Sequence, residues 1–254
     1  MKITTWNING IRAALKKGIM DWVVSNQPDI ICFQEIKARV DQVDEKQRDF
    51  PGYSTMWYSA VRSGYSGVAM YYHTPPLEIK VGLGIERFDV EGRVIRARYP
   101  DFYLYNVYFP NGQRGPDRVQ YKLDFYAALL KQCEALLSAG EAIIIAGDFN
   151  TAHKEIDLAN PQDNQNTSGF LPEERMWIDT YLRCGFVDVY RMLYPHKVEY
   201  TWWPYYYGTR RRNFGWRIDY FLISQQLVEK VEDVVIHSDV MGADHCPVSL
   251  LLGG

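Results

Sequence analysis

Asp148 and Asn150 close the run IIIAGDFN (143–150), whose isoleucines and alanine otherwise read as a strand buried on both faces. Burial gives a strand no reason to end in a carboxylate and a carboxamide, because both cost free energy unless partnered. Three other strand-like runs end the same way, in Asn7-Ile8-Asn9, in Gln34-Glu35 and in Tyr108-Phe109-Pro110-Asn111. Residues two apart on a strand share a face at roughly 6–7 Å. Asn7 with Asn9, and Asp148 with Asn150, are therefore pairs suited to gripping one ligand from two points. Their oxygens are hard ligands that favour Mg²⁺ or Mn²⁺ over zinc. One polar tip alone would be an ordinary turn initiator; four together, with Glu35 and Asp148 among them, point to a site.

Two further residues belong with these tips. Asp219 lies inside the apolar run WRIDYFLI, where a bare carboxylate would cost several kcal/mol unless paired. His245, one of five histidines, follows Asp244 in GADHCPVSLL at the mouth of the last strand. An Asp219–His245 pair would hold the imidazole charged and oriented, as carboxylates do in hydrolytic triads. No serine sits in a GxSxG elbow, so acyl transfer has little support.

The elements that must position these groups are legible in outline. Alternation predicts strands at 2–8, 66–73, 93–99 and 102–109, and apolar runs predict further strands at 29–35 and 142–148. Apolar residues recurring every three or four positions from 119 to 137, with Gly140 beyond, predict a helix. Shorter helices are predicted at 19–26 and from Pro172 to Gly185, and strands at 217–223, 233–237 and 247–252 complete the chain. With no low-complexity linker, residues 1–254 read as one domain. A faint duplication (strand with polar tip, helix, strand with polar tip, twice over) predicts two similar sheets packed face to face with helices outside.

Composition bounds the function. At 47% hydrophobic and 23% charged the chain is an ordinary globular protein, and its net charge of −3 excludes a polycation but leaves room for a local basic groove. The four cysteines show no zinc spacing and fit reduced thiols in a cytoplasmic protein. The start MKITTWNING lacks a signal peptide's apolar stretch, and no segment approaches a membrane span. Aromatics are high at 15%, which suits a flat or sugar-like ligand.

Nine ordered motifs, WNINGIRA (6–13), QEIK (34–37), GYSGVAMY (64–71), YFPNGQRG (108–115), GDFNTAH (147–153), EIDLANP (155–161), SGFLPEER (168–175), GWRIDYF (215–221) and SDVMGADHCP (238–247), carry a resemblance that runs nearly end to end. The sequence resembles the exonuclease III-type apurinic/apyrimidinic (AP) endonucleases of the endonuclease/exonuclease/phosphatase superfamily. The resemblance implies a four-layer α/β sandwich with quasi-twofold symmetry. It also implies Mg²⁺-dependent hydrolysis of the phosphodiester 5′ to an abasic site in duplex DNA, leaving a 3′-hydroxyl, with some 3′→5′ exonuclease or 3′-phosphodiesterase activity. By this likeness Glu35 is the metal carboxylate, assisted by Asn7 and Asp244, with Asp148, Asn150 and His245 at the same centre and one or two ions, Mg²⁺ or Mn²⁺, held there. Asp148 orients or deprotonates the attacking water with Asn150 beside it; His245, buttressed by Asp219, contacts the scissile phosphate, as do Tyr108 and Asn111.

The substrate side is read from charge and rings. Arg12, Lys16, Lys17, Arg62, Arg114, Arg118 and Arg210-Arg211-Arg212 are candidates for a basic surface, though a charge run is more often a solvated face. The loop WWPYYYGTRRRNFGW (202–216) alternates rings that stack on sugars and bases with guanidinium groups that hold phosphates. By resemblance Trp202, Trp216 and Ile218 wall a pocket for a flipped-out abasic sugar, Arg114 and Tyr206 wedge the duplex, and Lys37, Asn164 and Arg210 join the DNA contacts. A monomer suits such a groove, with abasic or 3′-blocked duplex DNA as partner. Two rivals stand beside this reading: a superfamily phosphatase acting on inositol phosphates or phospholipid headgroups, and a nucleic-acid-binding protein without catalysis. The loop at 202–216 weighs against the first, and the buried acids, which repel phosphate, against the second.

Overall fold

The alternation seen in the sequence becomes twelve strands in the computed structural model, which describes residues 1–205 and 208–253. They are β1 (Lys2–Asn7), β2 (Ile30–Gln34), β3 (Ser54–Tyr58), β4 (Val68–Tyr72), β5 (Glu78–Val81) and β6 (Val94–Arg98). The rest are β7 (Tyr103–Tyr108), β8 (Ile143–Asp148), β9 (Phe186–Asp188), β10 (Asp219–Ser224), β11 (Val231–Ile236) and β12 (Val248–Leu252). One six-stranded sheet runs β11-β12-β1-β2-β4-β3 and the other β5-β6-β7-β8-β10-β9. Each sheet has a central parallel pair, β1 with β2 and β7 with β8, flanked on both sides by antiparallel strands. The expected duplication is thus a duplication of topology.

Period-two alternation assigns each side chain to a layer. On β8, Ile144 and Ala146 enter the core between the sheets, whereas Ile143 and Ile145 face outward under the helices Pro116–Ser138 and Pro172–Arg183. On β2, Ile30 and Cys32 point inward, while Ile31 and Phe33 pack outward with Ile11 and Val23 of the helices Ile11–Lys16 and Ile19–Asn26. Helix, sheet, sheet and helix make four layers, as expected. Counting by twos from the inward residues reaches Asn7, Gln34, Tyr108, Asp148 and Asp219. The polar tips therefore sit at one mouth of the inter-sheet core. Just beneath them Gln34 spans the gap, its Nε2 donating to Asn106 Oδ1 at 2.8 Å and to Thr5 Oγ1 at 2.9 Å.

Three strands escape the sequence reading. β3 and β5 are short edge strands with mostly exposed or half-buried residues, and three-residue β9 offers too little alternation to detect. The run at 66–73 also begins late, because Ser66 and Gly67 both have positive φ.

Gly147 shows how tightly β8 is seated. Its φ is +151°, and a Cβ there would lie 1.8 Å from the Val107 carbonyl oxygen of the neighbouring strand. Gly147→Ala is expected to force β7 and β8 apart and to lower stability by about 2 kcal/mol or more, read as a fall in denaturation midpoint. An unchanged midpoint would show that the sheet yields at this point.

Candidate active site

Asn7 ends β1 and Asp148 ends β8, and each then turns the chain by the same device. The Asn7 side-chain oxygen accepts the Asn9 backbone N–H at 3.0 Å, and Asp148 Oδ1 accepts that of Asn150 at 2.7 Å. Asn9 and Asn150 take up left-handed φ of 46° and 50°. Each pair is therefore an Asx turn past the strand end, a correction to the strand-spaced pairing read from the sequence. Turn initiation and site building coexist in the same residues.

Across the two sheets, Asn7 Nδ2 donates to Glu35 at 3.0 Å and to Asp148 Oδ2 at 2.8 Å. One carboxamide thus brackets two carboxylates contributed by opposite sheets. Strand register supplies the neighbours: Tyr108 pairs with Asp148 on one side and Asp219 pairs with it on the other. Two buried acids side by side repel, and His245 relieves this. Its Nδ1 lies 2.8 Å from Asp219 Oδ2, and its Nε2 3.9 Å from Asp148 Oδ2.

Burial alone would discharge the imidazole, but the adjacent Asp219 carboxylate outweighs it, with Asp148 adding to the pull, so His245 stays protonated well above the ordinary histidine range. Burial pushes the Asp148 carboxyl up; His245 opposes that shift and Asp219 reinforces it. Glu35 goes the other way: burial would raise it, yet the Lys37 ammonium and hydrogen bonds from Asn7, Lys37 and Tyr108 hold it below the usual carboxylate range.

Over this cluster opens a cavity of about 350 Å³, walled by Trp202, Trp216, Ile218, Pro204 and Phe214, with Glu35, Asn111, Asn150, Asp244 and His245 on its floor and rim. Trp202 and Trp216 meet edge to face at 6.3 Å between ring centres, and Trp202 Nε1 donates to Asp244 at 3.1 Å. Aromatic walls over an acid–imidazole floor suit a flat or sugar-like group carrying a phosphate.

The chain matches the model of the endonuclease/exonuclease/phosphatase family over residues 4–245. It is 43% identical to an exodeoxyribonuclease of Bacillus subtilis (strain 168), covering 99% of each chain. It is also 43% identical to the DNA repair nuclease APEX1 of Danio rerio, over 99% of this chain and 82% of that one. The chain belongs to the endonuclease/exonuclease/phosphatase family. Among solved structures, an AP endonuclease from Archaeoglobus fulgidus superposes with a TM-score of 0.90 at 30% identity, covering 99% of both chains. A 3′ phosphatase from Neisseria bound to a product DNA hairpin superposes at 0.92 with 28% identity, covering 100% of both. The expected resemblance and the four-layer sandwich both hold, and the chain is an enzyme, a nuclease-type hydrolase similar to exodeoxyribonucleases and AP endonucleases.

Within this family framework the expected residues fall into three groups. Asn7, Glu35, Tyr108, Asp148, Asn150, Asp219 and His245 converge at the mouth of the core, with Asn111 donating to Asn150 Oδ1 at 3.1 Å. Trp202, Trp216, Ile218 and Asn164 line the cavity, and Asn164 also donates to the Asn160 carbonyl. The remainder behave differently. Arg114 lies 5.6 Å over the Tyr65 ring, in a separate cleft with Arg62 and Arg118. Arg118 is clamped by Glu91 and Lys37 is paired with Glu35 at 2.7 Å. Arg210 turns inward, donating to the carbonyls of Ser238, Val240 and Ala243 while covering Trp203, so its visible work is bracing the loop before His245. Tyr206 lies outside the described residues.

Sequence reasoning missed Asn9 as a link, though its Nδ2 donates to Asp244 at 3.0 Å. It also missed Arg93, buried with its guanidinium 4.6 Å over the Tyr108 ring and donating to the Tyr108 carbonyl at 2.9 Å. Nothing in a lone arginine of a predicted strand marks it as a support for a tyrosine 15 positions away.

A cation fits the Glu35 side of the cluster. That carboxylate already holds the Lys37 ammonium, and the oxygens of Glu35 and Asp148 are hard donors. Asp148, Asp219 and His245 also bring ligand atoms within 4.8 Å of one another. Asp219 takes His245 Nδ1, which leaves Nε2 as the ring nitrogen that faces Asp148.

Proposed function

We propose that this enzyme hydrolyses the phosphodiester 5′ to abasic sites in duplex DNA, leaving a 3′-hydroxyl, and that the same centre trims blocked or recessed 3′ ends. The observation that carries this reading is the meeting of Glu35, Asp148 and the Asp219–His245 pair beneath an aromatic-walled pocket. Trp202, Trp216 and Ile218 would receive an extruded abasic sugar, and their rings would leave little room beside it for a base. Abasic nucleotides are also the least costly to extrude.

For phosphoryl chemistry most of the barrier is lowered by positioning and by charge placed where charge develops. Asp148, held by Asn7 and by the Asn150 backbone, would orient the attacking water and accept its proton. The charged His245, kept in place by Asp219, would stabilise the negative charge gathering on the phosphate, with Asn111, Asn150 and Tyr108 as further donors. Glu35, helped by Asn7 and Asp244, would hold Mg²⁺ or Mn²⁺. When bound, such an ion polarises the phosphate and stabilises the leaving 3′ oxygen. One copy of the chain carries the whole set, so a monomer suffices. Among the described residues no helix is long and apolar enough to cross a membrane, and all four cysteines are free.

Incubating the enzyme with a duplex containing one abasic site tests the reading. A nick on the 5′ side with Mg²⁺, abolished by EDTA and restored by added Mg²⁺, is the expected result. No nick in any tube would remove the endonuclease reading, and a nick indifferent to EDTA would remove the metal.

A further inference from the structure

A charge pair with no contact to solvent lies behind the pocket wall. Lys122, on the long helix, and Glu174, in the first turn of the helix Pro172–Arg183, both have fully buried side chains and meet at 2.8 Å. Glu174 does more than balance the lysine. Its carboxylate accepts hydrogen bonds from Ser168 Oγ at 2.9 Å, from the Leu171 backbone N–H at 3.2 Å and from that of Gly169. Lys122 Nζ in turn donates to the Asn150 carbonyl at 2.6 Å. The pair therefore ties together two pieces of backbone that face the cavity, the 168–171 loop and the turn that follows Asp148.

Those two pieces leave no slack. A Cβ on Gly169 would lie 3.1 Å from the Trp216 ring and 3.2 Å from the Asn150 carbonyl oxygen, so the loop is wedged between an aromatic wall and the catalytic turn. Stability is a poor reason for such a pair, since apolar side chains of similar volume usually replace buried ion pairs at no loss. Its three bonds to otherwise irregular backbone, with a fourth to the Ser168 hydroxyl, are what an apolar pair would not supply.

We propose that Lys122 and Glu174 are positioning residues that set the width of the pocket, and with it the selectivity of the enzyme for an abasic sugar over a nucleotide that keeps its base. The proposal rests on the pocket accepting an extruded sugar. Freed from Glu174, the loop would relax away from Trp216, and an angstrom of added width is enough to change what enters.

The test compares nicking rates, enzyme in excess, on two duplexes that differ at one position, an abasic site or an intact nucleotide. The double variant Lys122→Met with Glu174→Leu removes both charges together and keeps the volume. A fall of at least about tenfold in the abasic-to-intact rate ratio, with a melting temperature near that of the unaltered enzyme, is expected, on the scale by which small displacements change turnover. An unchanged ratio in the folded double variant overturns the proposal and leaves the pair a purely structural element. Should the double variant not fold, Ser168→Ala decides, because it removes one bond to Glu174 without stranding a charge: a ratio lowered about threefold supports the assignment and an unchanged ratio overturns it. Failure of the unaltered enzyme to nick the abasic duplex is a different result, and it removes the function rather than the role of the pair.

Discussion

Asp148→Asn and His245→Ala are each expected to lower turnover on an abasic duplex by at least about 10²-fold, the scale of losing one general base or one charge-stabilising group. Asparagine at 148 keeps the planar shape and can still accept the Asn150 backbone N–H, now made at 2.7 Å. What it loses is the negative charge and the capacity to take a proton from water. Alanine at 245 removes the cation and strands Asp219, whose Oδ1 has no hydrogen-bond partner among the described residues and whose Oδ2 relies on the imidazole. That variant is therefore expected to lose stability as well, and rates should be compared at a temperature where both proteins are folded. Steady-state and single-turnover rates on one duplex suffice. A loss of less than tenfold for Asp148→Asn would mean that another group activates the water.

Arg217→Met is expected to destabilise the fold by about 3–5 kcal/mol, the cost of leaving buried carboxylates without their partner. The Arg217 side chain is 1% exposed and binds Asp157 at 2.8 Å and Asp188 at 2.7 Å, while Arg191 reaches the same Asp157 oxygen. Burial would raise the Asp157 carboxyl, but the two arginines and the Lys154 N–H outweigh it and bring its pKa from 3.8 down to about 2. A folded-state value below the unfolded one makes this group stabilising above about pH 4, and that contribution fades as pH falls toward 2. Urea midpoints at pH 7 and pH 3 read both effects. Arg217→Met should flatten the acid limb as well as lower the plateau; a plateau drop below about 1 kcal/mol would mean that Arg191 alone holds the acids. Because Arg217 precedes Ile218 and Asp219, this buried pair also fixes the strand that brings a pocket wall and the histidine's partner into place.

Much of the molecule is legible in the chain. Alternation and apolar runs together located nine of the twelve strands, and the repeated strand–helix–strand order announced two sheets. The polar tips stood out because aliphatic strands have no reason of their own to end in acids and amides. The edge strands β3 and β5 stayed hidden because they bury too little to leave a pattern, and β9 because three residues are too few to alternate. The arginines misled in a specific way. Arg118 and Arg210 read as free charges, yet one is spent on Glu91 and the other on backbone carbonyls of the 238–243 loop. A guanidinium's partner is chosen by the fold, and no local pattern records it.

By itself the sequence determined which side chains share a face and which strands end in chemistry, since a period of two is a property of the extended backbone. Only the tertiary structure decided that Asn7 of one sheet would bracket Glu35 and Asp148, and that Asp219 would lie beside Asp148 within reach of His245. Those meetings depend on strand register and on how two sheets settle against each other, with Gln34 and Asn106 pinning them between. Both are set by contacts between residues far apart in the chain, 141 positions for Asn7 and Asp148 and 235 for Asn9 and Asp244, and at such separations local sequence carries no geometric information.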